Sequence, residues 1–319
     1  MNRDSSAIAS GRRALSTEIG KTGGGSRAGM AFGLLGVLAF SFTLPFTRVA
    51  VAELSPLFIG AGRAVAAALL GAIVLAVVRP RLPRGRHWLR LAVVGLGVVA
   101  GFSLLTSFAL QTVPAAHGAV VIGLLPAATA AAAVLRAKER PSRAFWWASA
   151  AGVVAVIGFV AISAGGIAAL QPADLLLVAA VVSAAIGYAE GAMLSRELGS
   201  WQTICWALLV SLPVMVPLTV VGAASMIEAN HRWPEVGLQA WLAFAYLATV
   251  SMFLGFFAWY RGLAIGPISR VSQIQLVQPV FTIVWSALLL HEHLDWTVWA
   301  GAAVVVLCAA TAVRSRVRM

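Results

Sequence analysis

The feature of the sequence that most constrains its fold is a succession of apolar segments, most about 20 residues long, separated by short polar connections. As an α-helix, ~20 residues cross the hydrocarbon core of a bilayer, which is about 30 Å thick. Only 11% of residues are charged and 61% are hydrophobic, which leaves too little polar surface for a water-soluble domain. The apolar segments lack period-2 alternation, which excludes a membrane barrel. The sequence therefore predicts an all-α membrane protein.

The apolar segments predict ten membrane spans. Short connections between most of them favour antiparallel neighbouring helices. The longest connection, 223–236, is interpreted as a short interfacial segment, and residues 1–27, rich in Gly, Ser and Arg, as a disordered cytoplasmic tail. The predicted spans are 29–47, 56–78, 89–110, 115–135, 144–163, 172–194, 201–222, 237–260, 268–290 and 295–313.

The positive charges indicate how the spans are oriented. With the N-terminus in the cytoplasm, 20 of the 23 Lys and Arg residues fall in cytoplasmic segments, and only Arg48, Arg63 and Arg232 fall elsewhere. The positive-inside rule then predicts a multi-pass protein of the cell inner membrane with both termini in the cytoplasm. The net charge of +12 has the same origin, because the charges cluster between spans; nucleic-acid binding is not expected.

An internal repeat relates the two halves of the chain. Residues 108–146 and 261–299 align at a constant offset of 153, and each half holds five predicted helices. Because five is odd, the second copy enters the membrane upside down. We therefore predict two inverted five-helix repeats, 28–163 and 172–313. The matched residues are Pro114 with Pro267, Pro126 with Pro279, Glu139 with Glu292, and Trp146 with Trp299.

Inverted repeats are typical of secondary transporters that work by alternating access, with the substrate site at the repeat interface near the middle of the bilayer. Channels and membrane enzymes can also carry repeats. The chain has no Walker loop and no HExxH motif, and its two cysteines belong to no metal-binding cluster. No enzymatic activity, cofactor or metal is expected.

The repeated motif resembles the EamA repeat of the drug/metabolite transporter superfamily. Each copy has a proline followed thirteen residues later by glutamate, and then a last helix containing Trp and Gly. The stretch FSFTLPFTRVA in the first helix and Arg63 in the second fit the same family, although many members have Trp-Gly or Trp-Ser where this chain has Phe40-Ser41-Phe42. The resemblance covers residues 30–313 and implies ten helices with cytoplasmic termini. Members of similar size include bacterial exporters of amino acids, notably aromatic ones.

Charged residues inside spans are costly and are often functional. Glu190 is the acidic residue best placed inside a span; it either binds a substrate ammonium or a coupling proton, or pairs with Arg196 or Arg270. Arg63 holds a carboxylate, either that of a substrate or that of Glu53.

His117 and Arg270 occupy equivalent positions in the two repeats. They are candidates for gating residues, or are hydrogen-bonded residues at the interface.

The ninth predicted helix has the densest polar stripe, which consists of Ser272, Gln273, Gln275 and Gln278 and is followed by Pro279. The stripe either lines a cavity or forms hydrogen bonds between helices. Ring-stacking surfaces for a zwitterion are expected from four aromatic residues, which can alternatively belong to the interfacial aromatic belt. They are Tyr188, Trp206, Tyr260 and Trp285.

These features together predict an alternating-access exporter of small metabolites, with amino acids as the expected substrates. Two alternatives stay open. An importer or exchanger of phosphorylated sugars or nucleotide precursors would need two or more cations in the core, where only Arg63 lies. A membrane-embedded enzyme or flippase would need a catalytic polar cluster at one interface. The expected partners are the lipid bilayer and a small-molecule substrate, and a monomer is expected.

Overall fold

The structure is a computed structural model, which describes residues 27–137, 142–164, 171–230, 234–265, 271 and 274–316. All regular structure in these residues is helical. Eight helices are long and apolar enough to span a membrane, and two shorter apolar helices follow them. In chain order they are α1 Arg27–Val51, α2 Pro56–Val78, α3 His87–Ala109, α4 Ala115–Arg136, α5 Arg143–Ile162, α6 Pro172–Glu197, α7 Ser200–Ala229, α8 Leu238–Ile265, α9 Gln275–Leu290 and α10 Trp296–Ala312.

Local sequence signals determine several helix ends. Ser55 caps α2 by accepting a hydrogen bond from the Phe58 N–H at 3.0 Å, and Pro56 takes the first helical position, where its missing N–H costs nothing. Gln171 and Asp174 form a capping box at the start of α6, again with a proline at the first position. Such caps explain why these boundaries agree closely with the predicted spans.

The predicted interfacial segment over 223–236 is wrong in its first half, because α7 continues to Ala229. Residues 223–229 contain no glycine or proline, and Met226 packs among Ala50, Leu54 and Ile59. This apolar contact holds the extra turns of helix against α1 and α2. Residues 231–233 and the predicted N-terminal tail over 1–26 lie outside the described residues.

The helices pack into one bundle with an apolar outer surface. The most extensive contacts join α2 with α7 and α5 with α10. The centre is formed where α6 packs against α3 and α4, and where α8 packs against α1 and α2. Gly97 and Gly187 let α3 and α6 touch, because a Cβ on Gly97 would lie 2.9 Å from the Cα of Gly187.

Large apolar side chains are exposed along the outside of the bundle, as expected where lipid replaces water as the solvent. On α2, for example, Leu69, Ile73 and Val77 are 60–76% exposed at helical spacing. The end of the bundle at which α2, α4 and α6 end and α3 begins is called the arginine-rich end below. It carries Arg79, Arg81, Arg84, Arg86, Arg90 and Arg136.

Candidate functional site

A small cavity lies at the centre of the bundle, where six helices meet. Its volume is about 20 Å³, which is room for about one water molecule. Both halves of the chain line it. The lining residues are Phe40 and Thr43 from α1, Arg63 from α2, Val98 and Phe102 from α3, Tyr188 from α6, Ser251, Met252 and Phe256 from α8, and Gln278 from α9.

Aromatic rings form one wall of the cavity. The ring centroids of Phe40 and Phe256 are 4.8 Å apart, and that of Tyr188 lies 5.9 Å from Phe256 and 6.4 Å from Phe40. Trp259 packs behind them, 6.1 Å from Tyr188. The wall therefore presents ring faces and edges to anything bound in the cavity, which suits an apolar side chain or a cationic group.

Arg63 is the charged residue of the cavity. Its side chain is 1% exposed, and none of its three guanidinium nitrogens has a hydrogen-bond partner among the described residues. A buried guanidinium without a partner is costly, since its N–H donors have lost water without replacement. The arrangement suits a ligand that brings its own anion.

Glu53 was one of the two carboxylate partners expected for Arg63. The structure places it elsewhere: it accepts a hydrogen bond from the backbone N–H of Gly237, between the end of α1 and the start of α8. The expected Arg63–Glu53 pair is therefore wrong. The two side chains do not meet because Arg63 lies two turns inside α2, whereas Glu53 lies beyond the last turn of α1.

Acceptors also face the cavity. The side-chain oxygen Oε1 of Gln278 is buried and has no hydrogen-bond donor among the described residues. Thr43 and Ser251 pair their hydroxyl oxygens at 2.7 Å across α1 and α8. The positively charged guanidinium of Arg63 and the unpaired amide oxygen of Gln278 thus line the same cavity.

The helix geometry changes at the cavity. Residues Gly95–Phe102 of α3 and Leu247–Leu254 of α8 are π-helical, and these turns supply four lining residues: Val98, Phe102, Ser251 and Met252. π-helical turns have weaker backbone hydrogen bonding than α-helix and occur frequently at functional sites. Here they widen the helices at the point where two of them border the cavity.

Two predicted site residues lie between the cavity and the arginine-rich end, and both carry polar groups that have no partner among the described residues. Gln275 lies one turn before Gln278 on α9; it is 2% exposed and both its amide atoms lack partners among the described residues. Tyr260 on α8 is fully buried, and its hydroxyl lies against Gly191 with no hydrogen-bond partner in the described part of the chain. Pro279 is the second residue of the α-helical part of α9, which follows a single 3₁₀ turn, and Ser272 lies outside the described residues.

Glu190 does not line the central cavity. It is buried at the arginine-rich end and accepts hydrogen bonds from Nε of Arg90 and, at 2.9 Å, from Nε of Arg136. The sequence analysis had named Arg196 and Arg270 instead; Arg196 makes no ion pair in the described structure, and Arg270 lies outside it. The reason is that the start of α3 and the end of α4 lie beside the last turns of α6.

The two remaining aromatic candidates also lie away from the cavity. Trp206 packs edge-on against Trp88, with centroids 5.7 Å apart, in a cluster between α3, α6 and α7. Trp285 donates from Nε1 to the hydroxyl of Ser41 at 3.0 Å and stacks on Phe42 at 4.5 Å. Tyr188 is thus the aromatic candidate that the structure places at the cavity.

Polar contacts between helices join the opposite end of the bundle. Both oxygens of Glu292 accept from the first N–H groups of α4, those of Ala115 and Ala116, at 2.8 and 2.9 Å. Arg48 donates to the carbonyl of Leu110 at the end of α3. His117, a predicted gating residue, pairs with Asp174 of α6 at 2.8 Å. Its predicted counterpart Arg270 lies outside the described residues.

A second, larger space opens beside the cavity at the arginine-rich end. This groove, called the α3–α4 groove below, has a volume of about 700 Å³ and lies between α3 and α4, with α6 as its floor. Its lining residues are Leu89, Arg90, Val93, Ala128, Ala131, Ala132, Leu135, Arg136, Val182, Ala185, Ile186, Ala189 and Glu190.

Most of the cavity lining was missed by the sequence analysis. Phe40, Thr43 and Gln278 were noted only as parts of motifs, and Val98, Phe102, Ser251, Met252 and Phe256 were not considered. A hydroxyl or ring inside an apolar span is too common to mark a site. The sequence holds no signal that separates Thr43 from Thr47 on α1, or Ser251 from Thr249 on α8.

A helical bundle with an apolar surface and a partly polar cavity at its centre is the architecture expected of a membrane transporter. The sequence profile of the EamA-like transporter family matches the chain twice, at residues 27–161 and 171–314. Together the two matches cover nearly all of the described residues. The chain belongs to the EamA-like transporter family, a branch of the drug/metabolite transporter superfamily.

Individual relatives agree with this assignment. The chain is 46% identical over 282 residues to YdeK of Bacillus subtilis (strain 168), named an uncharacterized transporter, covering 88% of this chain and 96% of the relative. It is 21% identical over 272 residues to sll0355 of Synechocystis sp. (strain ATCC 27184 / PCC 6803 / Kazusa), also named an uncharacterized transporter, covering 79% and 80%. A crystal structure at 18% identity superposes with a TM-score of 0.58 over 90% of this chain and 96% of the other, which shows a shared fold.

Proposed function

We propose that this membrane transporter exports small metabolites, namely amino acids that include aromatic ones, by alternating access between two inverted five-helix repeats. The observation that carries the proposal is the central cavity, in which the unpaired guanidinium of Arg63, the unpaired oxygen of Gln278 and an aromatic wall face one enclosed space. Other features of the fold support the inverted repeat, the direction of transport and the helix movement that substrate binding requires.

The pattern of helix contacts supports the inverted repeat. If α1–α5 correspond to α6–α10, then α2 with α7, α4 with α9 and α5 with α10 are pairs of equivalent helices, and all three pairs are in contact. The contact of α3 with α6 likewise corresponds to that of α8 with α1. The two π-helical segments also match, since Val98 and Ser251 are 153 positions apart, the offset of the sequence repeat.

The chemistry of the cavity fits a zwitterion. A guanidinium binds a carboxylate through two parallel N–H donors, and charge-assisted hydrogen bonds are about twice as strong as neutral ones. The Gln278 oxygen accepts from an ammonium, and the ring faces of Phe40, Tyr188 and Phe256 accommodate a side chain or attract the cation. An α-amino acid carries all three groups on adjacent atoms, so one small solute satisfies both unpaired polar sites.

A volume of about 20 Å³ is too small for any amino acid, so binding requires the surrounding helices to separate. The π-helical turns of α3 and α8 border the cavity on both sides and are the natural places for such a movement. The unpaired polar atoms of Gln275 and Tyr260 mark the side from which the solute arrives, the arginine-rich end. The positive-inside rule assigns that end to the cytoplasm, which supports export.

A phosphorylated solute is less well matched. It carries about two negative charges near neutral pH, whereas Arg63 is the one cation among the described residues that line the cavity. A second cation would be needed to offset the cost of burying a dianion.

The test is counterflow of labelled solutes in proteoliposomes containing the purified full-length protein. We expect exchange of neutral and aromatic amino acids, and none of the corresponding amines that lack a carboxylate. Gln278→Leu should weaken amino-acid exchange at least tenfold, while Arg143→Gln, an exposed position on α5, serves as the matched control and should leave it unchanged. Exchange of sugar phosphates with no exchange of amino acids would overturn the proposal.

A further inference from the structure

The α3–α4 groove has no role in the proposed transport cycle. We propose that it is a binding site for an anionic phospholipid, with one acyl chain lying in the groove and the headgroup phosphate at Arg136.

The groove faces the lipid phase. Leu89 and Leu135 at its two rims are 70% and 69% exposed, and Val182 and Ile186 on its floor are about half exposed. These residues belong to membrane spans, so hydrocarbon surrounds them. An apolar groove that opens into hydrocarbon is filled by hydrocarbon, since water has no polar partner there.

The dimensions of the groove suit one acyl chain in one leaflet. Along α4 it runs from Ala128 to Arg136, and along α6 from Val182 to Glu190. At 1.5 Å per helical residue each path is about 12 Å long. One leaflet contributes about 15 Å of hydrocarbon, so the groove spans most of a leaflet and ends at its headgroup level.

Charge at the polar end of the groove favours an anion. Of the described lining residues, Arg90 and Arg136 are positive and Glu190 is negative. Arg90 donates to both Glu190 and Glu197, so Arg136 is the lining cation that is available to an anion. Glu190 is almost fully buried behind them, at 5% side-chain exposure, whereas the Arg136 side chain is 56% exposed. Arg136 donates to Glu190 through Nε alone, and its two terminal nitrogens make no hydrogen bond in the described structure. Basic pockets between spans are a recurrent means of binding anionic headgroups.

The groove is specific to one half of the chain. The equivalent gap lies between α8 and α9, over α1, and rings fill it: Phe42 stacks on Trp285 at 4.5 Å and lies 5.9 Å from Tyr246. Trp285 stands 153 positions after Ala132, which lines the groove. Small side chains therefore leave the α3–α4 groove open, whereas aromatic side chains fill the equivalent gap between α8 and α9. The groove is thus not a consequence of the repeat itself.

The experiment measures lipid binding to the purified full-length protein after delipidation in detergent, by native mass spectrometry. Phosphatidylglycerol and phosphatidylcholine with identical acyl chains are the probes. We expect phosphatidylglycerol to bind at least tenfold more tightly, with the preference decreasing at high salt, since an exposed ion pair is screened. Equal binding of the two lipids by the wild-type protein would overturn the proposal.

Two variants separate the acyl-chain contact from the headgroup contact. Ala132→Trp fills the groove and should reduce binding of phosphatidylglycerol at least tenfold, whereas Ala150→Trp, on the exposed surface of α5, should not. Arg136→Gln should remove the preference for phosphatidylglycerol, whereas Arg143→Gln should retain it. Ala128→Leu is a milder filling variant if Ala132→Trp does not fold.

Binding that survives both groove-filling variants would place the lipid elsewhere and refute the site. Competition of bound lipid by the solute that the protein transports, whatever its class, would assign the groove to the substrate path, and would likewise refute it. Neither result depends on the substrate being an amino acid, so the lipid site and the proposed function fail independently.

Discussion

Replacing Arg63 by methionine is expected to make the protein more stable and, at the same time, unable to bind its substrate. Arg63 is 1% exposed, and its guanidinium has no partner among the described residues. Methionine has a similar length and flexibility but carries no charge and no N–H donor. The substitution therefore removes an uncompensated charge from the core without opening a large void.

The size of the stabilisation follows from the donors that are left unpaired. A guanidinium has five N–H groups, and the cavity has room for about one water, whose oxygen accepts from at most two of them. At about 1–3 kcal/mol for each buried unsatisfied donor, the remaining three cost at least about 3 kcal/mol. An unfolding entropy of about 2.1 cal/mol/K per residue gives roughly 1.5 °C per kcal/mol for the 319 residues of the chain, so the unfolding temperature should rise by at least about 4 °C.

The loss of binding follows from the same donors. Two charge-assisted hydrogen bonds to a carboxylate are worth about 1.5–3 kcal/mol each, so Arg63→Met should weaken substrate binding more than 100-fold, at ~1.4 kcal/mol for each factor of ten. Arg63→Lys keeps the charge but not the planar pair of donors, and should lie between the wild type and Arg63→Met.

The assays are thermal unfolding in detergent with and without substrate, and counterflow in proteoliposomes. A saturating substrate should stabilise the wild type, because it binds the folded state alone, and should leave Arg63→Met unchanged. An Arg63→Met protein that is less stable than the wild type, or that exchanges substrate with an affinity within threefold of it, would refute the reasoning.

Three further predictions concern the cavity, the ion cluster and the orientation. Tyr188→Ala and Gln275→Leu should each reduce exchange at least tenfold while inserting normally, as judged by yield in the membrane; full activity of both would move the site elsewhere. Glu190→Gln leaves Arg136 without its carboxylate and Arg90 with Glu197 alone, so it should lower stability by about 1–3 kcal/mol yet retain exchange within threefold at equal pH on both sides; loss of accumulation driven by a pH gradient, with exchange spared, would make Glu190 the proton-coupling residue. In a cysteine-free background, Thr112→Cys should react with an impermeant maleimide in intact cells and Arg84→Cys after permeabilisation, and the reverse pattern would invert the proposed topology.

Charges were located by the sequence more reliably than their partners were. Glu190 and Arg63 stood out because an ionisable group inside an apolar span is rare, and both are buried in the structure. The partners predicted for these two charges were wrong. Glu190 pairs with Arg90 and Arg136, and Arg63 does not pair with Glu53. Pairing depends on which helices meet at one end of the bundle, and hydropathy carries no such information.

The spans themselves were determined by the sequence alone. In a bilayer each span must satisfy its own backbone hydrogen bonds, so the length and position of a helix follow from the local run of apolar residues. Eight predicted spans therefore agree with helices long enough to cross a membrane, with ends that differ by at most about five residues except where α7 extends to Ala229. The last two correspond to the shorter helices α9 and α10, and several residues before Gln275 lie outside the description.

Only the tertiary structure decided which side chains meet. Phe40, Arg63 and Gln278 lie on three helices far apart in the chain, yet they line one cavity, and Ala128 and Val182 border one groove. The lipid surrounds every helix with the same apolar medium, so a hydrophobic pattern does not distinguish the face that contacts lipid from the face that contacts another helix. Those contacts depend on close packing, such as that of Gly97 on Gly187, and on a few polar groups whose partners are known only once the helices are assembled.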